Sequence, residues 1–324
     1  ESGLSELMRH RGKAYDVNLR LFKRLTHSIT GWPGGKVGPQ RILILSPHPD
    51  DDVICMGGTM ARMVEQDHEV HVGYMVSGSL SVFDHNVIRY TEFMREFHDA
   101  FGIGVHESSA IEERIDSSLT DKDPGAVDIE EVQTIKGLIR RCEATNAARC
   151  CGVQDEHLHF MDMPFYQTGK VHKDPIGPED VACVRRILDE VKPDIVYAAG
   201  DMSDPHGTHR MCLEAAMIAL DDYEQAGNPA PTLWLYRGAW QEWPIAEADM
   251  ASPLSPDEQA NKRQAIFRHE SQKDRAMFPG PYDSREFWQR AEDRNMATAE
   301  QYDALGLPEY HGVEAFVKYP LVRS

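Results

Sequence analysis

No apolar run in this sequence approaches the length needed to cross a bilayer. Basic residues are scarce: 34 Lys and Arg stand against 53 Asp and Glu, a net charge of −19. That balance argues against nucleic acid, and against an anionic membrane surface, as a partner. Cysteine is thin as well. The six, Cys55, Cys142, Cys150, Cys151, Cys183 and Cys212, contain no CxxC pair. The adjacent Cys150 and Cys151 suit neither a zinc knuckle nor an easy disulfide, so reduced thiols in a cytoplasm are expected. The opening ESGLSELMRHRGK lacks both an apolar core segment and an initiator Met. No secretory leader is read there, and a chain trimmed from a longer protein is expected. No G-x-G-x-x-G follows the first apolar run, which argues against a dinucleotide-binding turn.

What is present is ordinary globular material. The 324 residues are 41% hydrophobic and 27% charged, enough for one large domain or two modest ones. A helical stretch, LSELMRHRGKAYDVNLRLFKRLTHSI, ends at the Gly/Pro cluster GWPGGKVGP. RILILS (41–46) is a continuous apolar run, as in a strand covered on both faces. Helical and strand patterns then alternate: helices over 53–66, 86–103, 129–147, 177–193 and 208–225, strands over 69–78, 157–163, 194–200 and 232–238. The polar stretch 107–128 reads as a loop, and TLWLYRG (232–238) as the last strand. Beyond it, SPDEQANKRQAIFRHESQ (255–272) is a helix capped by Ser255, and REFWQRAEDRNMA is another. The expected fold is α/β: a Rossmann-like, mostly parallel sheet with helices on both faces, plus N- and C-terminal helical extensions. The expected segments are 1–37 (extension and linker), 38–250 (catalytic domain) and 251–324 (a helical segment packed on that domain).

The chemistry gathers at two places. SPHPDDD sets His48, Asp50, Asp51 and Asp52 directly after the first strand. GDMSDPHGTHR sets Asp201, Asp204, His206 and His209 directly after the strand DIVYAAG. Both fall at the carboxyl ends of strands, where open α/β sheets bind ligands. Like charges crowded at such an edge repel and resist desolvation. A helix dipole offsets only about 0.3–1 kcal/mol per charge, whereas a divalent cation compensates far better. His48 and Asp51 can hold one from a single turn, and His209 can complete the set. Two imidazoles and one carboxylate with open positions describe a catalytic rather than a structural site. Asp50 is then free to take a proton from metal-bound water, and His206 to stabilise an oxyanion. Alone, HPD reads as a capped turn and HGTH as a loop before a helix; their pairing at matching strand ends carries the reading.

PHPDDDVICMGGT and the HxxH pair His206-Gly207-Thr208-His209 resemble the two signatures of the PIG-L/LmbE-like family of zinc-dependent de-N-acetylases. Asp52 stands where that family usually has Glu. The resemblance implies zinc, with Fe2+ or Co2+ as alternatives, on His48, Asp51 and His209. It implies Asp50 as general base and His206 as its electrostatic or acid partner. Arg89, in Arg89-Tyr90-Thr91-Glu92, matches a substrate-contacting element, with a surface pair to Glu92 as the plainer alternative. His269, in IFRHESQ, matches a late helix near the site, with an exposed helical His as its alternative. DMPFYQTGKV, LYRGAWQEW and IFRHESQKD are similar to the LmbE-like domain attached to glucosamine-6-phosphate deaminase-like proteins. That implies an upstream deaminase-like domain, a homo-oligomer, and an N-acetylglucosamine-type substrate, free or phosphorylated. Lys170 is then either a phosphate contact or a solvated loop lysine. Trp240 and Trp243 are candidates to line a sugar pocket, while Trp234 reads as core.

Three other readings share parts of this pattern. A non-haem iron oxygenase also uses two His and one carboxylate, but usually on a β-rich fold. A dehydrogenase shares the sheet type but would need its pyrophosphate where the aspartates stand. A metal-stabilised sugar-binding module without turnover needs neither Asp50 nor His206. The expected function is therefore hydrolytic removal of an acetyl group from an amino sugar by zinc-bound water.

Overall fold

The computed structural model describes residues 9–30, 38–103, 106–120, 122–123, 125–170, 173–202, 207–238, 241–273 and 285–319. RILILS forms β1 (Arg41–Ser46), and five of its six residues are buried. Residues on one face of it, Ile42 and Ile44, and on the other, Leu43 and Leu45, enter two separate apolar cores. That is why the run is continuous rather than alternating. β2 (Glu69–Tyr74) and β4 (Ile195–Ala199) flank β1 in parallel. β3 (Leu158–Phe160) continues the parallel pairing beyond β2, and β5 (Thr232–Tyr236) beyond β4. The strand order is β3-β2-β1-β4-β5-β7-β6, where β6 spans Met250–Leu254 and β7 Gly312–Lys318.

Helices cover both faces. On one lie α2 (Asp51–Glu65), α5 (Glu130–Cys150), α8 (Pro256–Ile266) and α9 (Phe287–Asp303), through Val53, Met56, Met60, Ala144, Ala265 and Ala291. On the other lie α6 (Pro178–Val191) and α7 (Thr208–Gln225), through Val184, Leu188, Ala215 and Ala219. α1 (Ala14–Ser28) ends against β6: Thr30 N–H donates to Ala251 O at 2.8 Å. All six cysteines are free thiols, three of them buried.

The sheet is larger than the sequence reading. Two strands follow TLWLYRG, both antiparallel to their neighbours. MASPL hides its strand character behind Pro253, which β6 tolerates because it is an edge strand and its outer side needs no N–H. Nor is all of 107–128 a loop. α3 (Asp84–Phe101) is followed by α4 (His106–Thr120), which docks Ile115 on Val87 and Val132 in a small satellite core. Its few apolar residues made that stripe hard to read in the sequence.

β1 is the switch point of the sheet. From it the chain proceeds to β2 on one side and later to β4 on the other, so the crevice at their carboxyl ends is open to a ligand.

Candidate active site

The HPDDD turn is held from below. Ser46 Oγ donates to His48 O at 2.6 Å and accepts from Asp52 N–H at 3.1 Å. α2 begins at Asp51 with Asp50 as its N-cap. From the other side, Gly207 adopts φ 69°, a left-handed conformation that suits glycine, and the chain turns directly into α7. His209 is the second residue of that helix and is buried.

Three ligand-type atoms from these segments converge. Asp51 Oδ2 lies 3.2 Å from His48 Nδ1 and 3.1 Å from His209 Nε2, and the two ring nitrogens are 3.3 Å apart. A tetrahedral ion with bonds of about 2.0–2.1 Å holds its ligand atoms roughly 3.3 Å from one another. The triangle therefore matches one face of such a coordination sphere and leaves the remaining position for solvent or substrate. Asp51 Oδ2 also accepts the His48 backbone N–H at 2.8 Å, which fixes the carboxylate. Burial alone would push the Asp51 carboxyl up, but the two imidazoles, His209 foremost, hold it well below the usual range. A divalent cation held by the three atoms would favour the ionised carboxylate in the same way.

The neighbouring carboxylates meet different surroundings. Asp50 Oδ1 is 3.1 Å from Arg140 Nη2, and both side chains are buried. Arg140 Nη1 lies 3.7 Å from Glu143, which in turn accepts from the backbone N–H and the hydroxyl of Ser271 at 2.6 and 2.7 Å. Burial by itself would lower Arg140, but Asp50 and Glu143 outweigh it and raise it above its ordinary value. Asp52 accepts from Tyr74 Oη at 3.1 Å. Burial, with Asp50 adding to it, pushes its carboxyl up to about 7.

His269 precedes the short 3-10 turn Glu270–Gln272 and is 2% exposed, so it is no surface histidine. Neither of its ring nitrogens has a hydrogen-bond partner among the described residues. It lines a small cavity with Asp50, Phe267, Gln272 and Trp288. Burial drives its imidazole down to about 3, opposed by Asp50 and reinforced by Arg140. Arg89, more than half exposed, lies 4.0 Å from Glu270 rather than pairing with Glu92. It thus stands beside the turn that carries His269. Trp243 donates to Leu235 O at 3.0 Å and lies under the Arg237 guanidinium at 3.5 Å, which makes it part of the scaffold. His206, Asp204 and Trp240 lie outside the described residues. A groove of about 330 Å³ opens beside the turn, lined by Pro49, Ser77, Gln133, Arg141, Phe160 and Gln167.

The sequence reading missed Arg140 and Glu143. The signal was present: α5 buries Val132, Lys136, Ile139, Arg140, Glu143, Ala144 and Ala147, so charged residues occupy the apolar stripe of an amphipathic helix.

The family model described as PIG-L, GlcNAc-PI de-N-acetylase, matches residues 43–220. A putative glucosamine-6-phosphate deaminase-like protein of Bacteroides thetaiotaomicron is 47% identical over 338 aligned residues, covering 98% of this chain and 50% of that protein. The chain thus spans about half the length of that relative. Among solved structures, N,N'-diacetylchitobiose deacetylase from Pyrococcus horikoshii is similar at 19% identity and TM-score 0.52, covering 87% of this chain and 84% of that one. GalB, the 4-carboxy-2-hydroxymuconate hydratase of Pseudomonas putida KT2440, is similar at 17% identity and TM-score 0.53, covering 87% and 98%. At such identities the likeness is one of fold, and a fold that carries both a deacetylase and a hydratase does not choose the reaction.

Proposed function

Because the chain belongs to the PIG-L family of GlcNAc-PI de-N-acetylases, whose model matches more than half of it, we propose that it is a metal-dependent hydrolase removing the acetyl group from an N-acetylated amino sugar. The observation that carries this reading is the triangle of Asp51 Oδ2, His48 Nδ1 and His209 Nε2, with the Asp50 carboxylate beside it on the same turn. A divalent ion on those three atoms supplies a Lewis acid that polarises an amide carbonyl and acidifies water. Zinc suits the donor set, and Fe2+ or Co2+ can occupy it.

The remaining roles belong to this chain's own side chains. Asp50 takes the proton of the attacking water and passes it to the leaving amine as the C–N bond breaks, releasing acetate and a free amino sugar. Arg140, fixed by Glu143 on its far side, keeps the Asp50 carboxylate oriented. His206 is proposed to stabilise the developing oxyanion. The ring nitrogens of His269, without a partner among the described residues, suit hydrogen bonds to sugar hydroxyls, and Arg89 suits the rim of the same region. In a longer protein we propose a deaminase-like portion joined to this one, acting on the same amino-sugar chemistry in the cytoplasm, with self-association of the whole.

The test is acetate release from N-acetylglucosamine, from its 6-phosphate and from simple amides, with and without a chelator. Chelator-sensitive release from a sugar amide is expected. Release that survives complete metal removal, or hydration of an enol acid in place of deacetylation, overturns the proposal.

A further inference from the structure

A second group of metal-ligating side chains lies at the other end of the sheet. Strand alternation builds it. Glu69 and His71 are two residues apart on β2, so they project from one face. His157 and His159 are likewise two apart and flank Leu158, which pairs with Val72. That register sets His159 opposite Gly73, and His157, the last residue of the 3-10 turn that leads into β3, lies against His71. Glu69, His71 and His159 therefore share one face of the two outermost parallel strands, and His157 joins them from the turn. Glu69 is level with Arg41, the first residue of β1, so the group is a strand's length from the turn that carries His48.

The contacts are close. His71 Nε2 is 3.0 Å from Glu69 Oε1, and His71 Nδ1 is 3.0 Å from His159 Nε2. The His71 and His157 rings lie 4.2 Å apart, centre to centre. One ligand atom from each of Glu69, His71 and His157 falls within 4.8 Å of the others. Glu190 of α6 approaches His159 Nδ1 at 3.9 Å. His71 is buried, whereas Glu69 is exposed and His157 half-buried, so two of the three ligands can adjust around one fixed ring.

We infer that Glu69, His71 and His157 form a second binding site for a divalent first-row transition metal, distinct from the active site. Two imidazoles and a carboxylate make a donor set that zinc, copper and nickel accept and that magnesium and calcium do not favour. A cation on His71 Nε2 takes the place of the proton that would otherwise face Glu69. The Nδ1–H then donates to His159 Nε2, and the His159 Nδ1–H faces Glu190. That outer chain sets the tautomer of the ligand ring, as in other histidine-metal sites. Glu69 and Glu190 together offset the two positive charges of the ion. Bound there, the ion adds a tie between the three-residue β3 and its neighbour β2.

The experiment counts zinc bound per chain at equilibrium with a zinc buffer, for the unsubstituted protein, Glu69→Ala, His157→Ala and His159→Ala. Glu69 and His157 are partly solvent-facing, so their removal leaves the core intact. The unsubstituted protein should bind one equivalent more than Glu69→Ala or His157→Ala, with acetate release unchanged in both. His159→Ala should keep the equivalent but hold it about 10–100-fold more weakly. The same difference of one equivalent should persist when His209→Ala is added to every variant. The count is therefore independent of whether the active-site proposal holds. Equal zinc content in the unsubstituted protein and in both ligand variants overturns the inference.

Discussion

Three aspartates stand side by side in the HPDDD turn because each meets a different compensation. Arg140 neutralises Asp50, the imidazole pair or the cation it would hold neutralises Asp51, and Asp52 takes up a proton near neutrality. Separating the first two fates is the sharpest test of the site. Replacing Asp50 by Ala should leave metal content unchanged while lowering turnover by about 10²–10⁴-fold. Replacing His209 by Ala should lower metal content itself, measured by elemental analysis of the purified protein. The reverse pattern would mean that base and ligand have been exchanged.

His269 makes a different prediction. Its imidazole is held down to about 3 by burial and titrates near about 6.5 when unfolded. Between those values the unfolded chain binds a proton that the folded chain refuses. Stability is therefore fully present above about pH 6.5 and is lost as pH falls towards 3, by roughly 3–5 kcal/mol for this group. Urea melts of His269→Gln should show a flatter pH profile across that window than the parent, and parallel profiles would refute the burial account. His48, Asp50, Asp51 and His209 were legible in the sequence because each follows a strand end that apolar runs announce. Arg140 and the histidines of β2 and β3 were not. Their meaning depends on cross-strand register and on packing between helices, neither of which a single segment displays.

Among the elements, α2 is the one that ties the turn to the rest of the protein. It is broken at Met56, whose φ of −142° and ψ of 24° are not helical. The N–H groups of Gly58 and Thr59, freed at the break, donate to Glu314 of β7 at 3.1 and 2.7 Å. Lys262 of α8 completes the arrangement at 2.7 Å, and both members of this ion pair are fully buried. Removing one member strands a buried charge, at a cost of about 3–5 kcal/mol. Lys262→Met and Glu314→Gln should each destabilise by that order in denaturant melts. The double variant should lose less than the sum, and strict additivity would deny the coupling. Gly58 is needed for close approach, since a Cβ there would meet Leu254 Cδ2 at 2.5 Å. The sequence reading recovered the parallel strands and their helices, whose periodicity is strong. It lost α4, β6 and β7, whose cues are polar residues, a proline and a glycine.

At the scale of the whole molecule, the site is a joint between two distant stretches of chain. His48 and Asp51 follow β1, and His209 follows β4. A cation shared between them binds the folded state and finds no such site in the unfolded one. At a free concentration about 1,000 times the dissociation constant, that linkage is worth roughly 4 kcal/mol. Chelation should therefore lower the thermal midpoint together with activity, and zinc should restore both. A midpoint indifferent to chelator would mean that the triangle holds no ion in the native protein. Among the described residues no helix is long and apolar enough to cross a membrane.

The order of β7 in the sheet has a consequence for biosynthesis. It lies between β5 and β6, yet the ribosome makes it after both. Until α8 and α9 have been translated, β6 has emerged without the neighbour it pairs with, and the outer side of β5 is open. A nascent chain stalled before Gly312 should therefore be cut readily by protease around residues 250–254, and one extended past Lys318 should resist. Completion of the sheet thus comes after both halves of the catalytic crevice have been made.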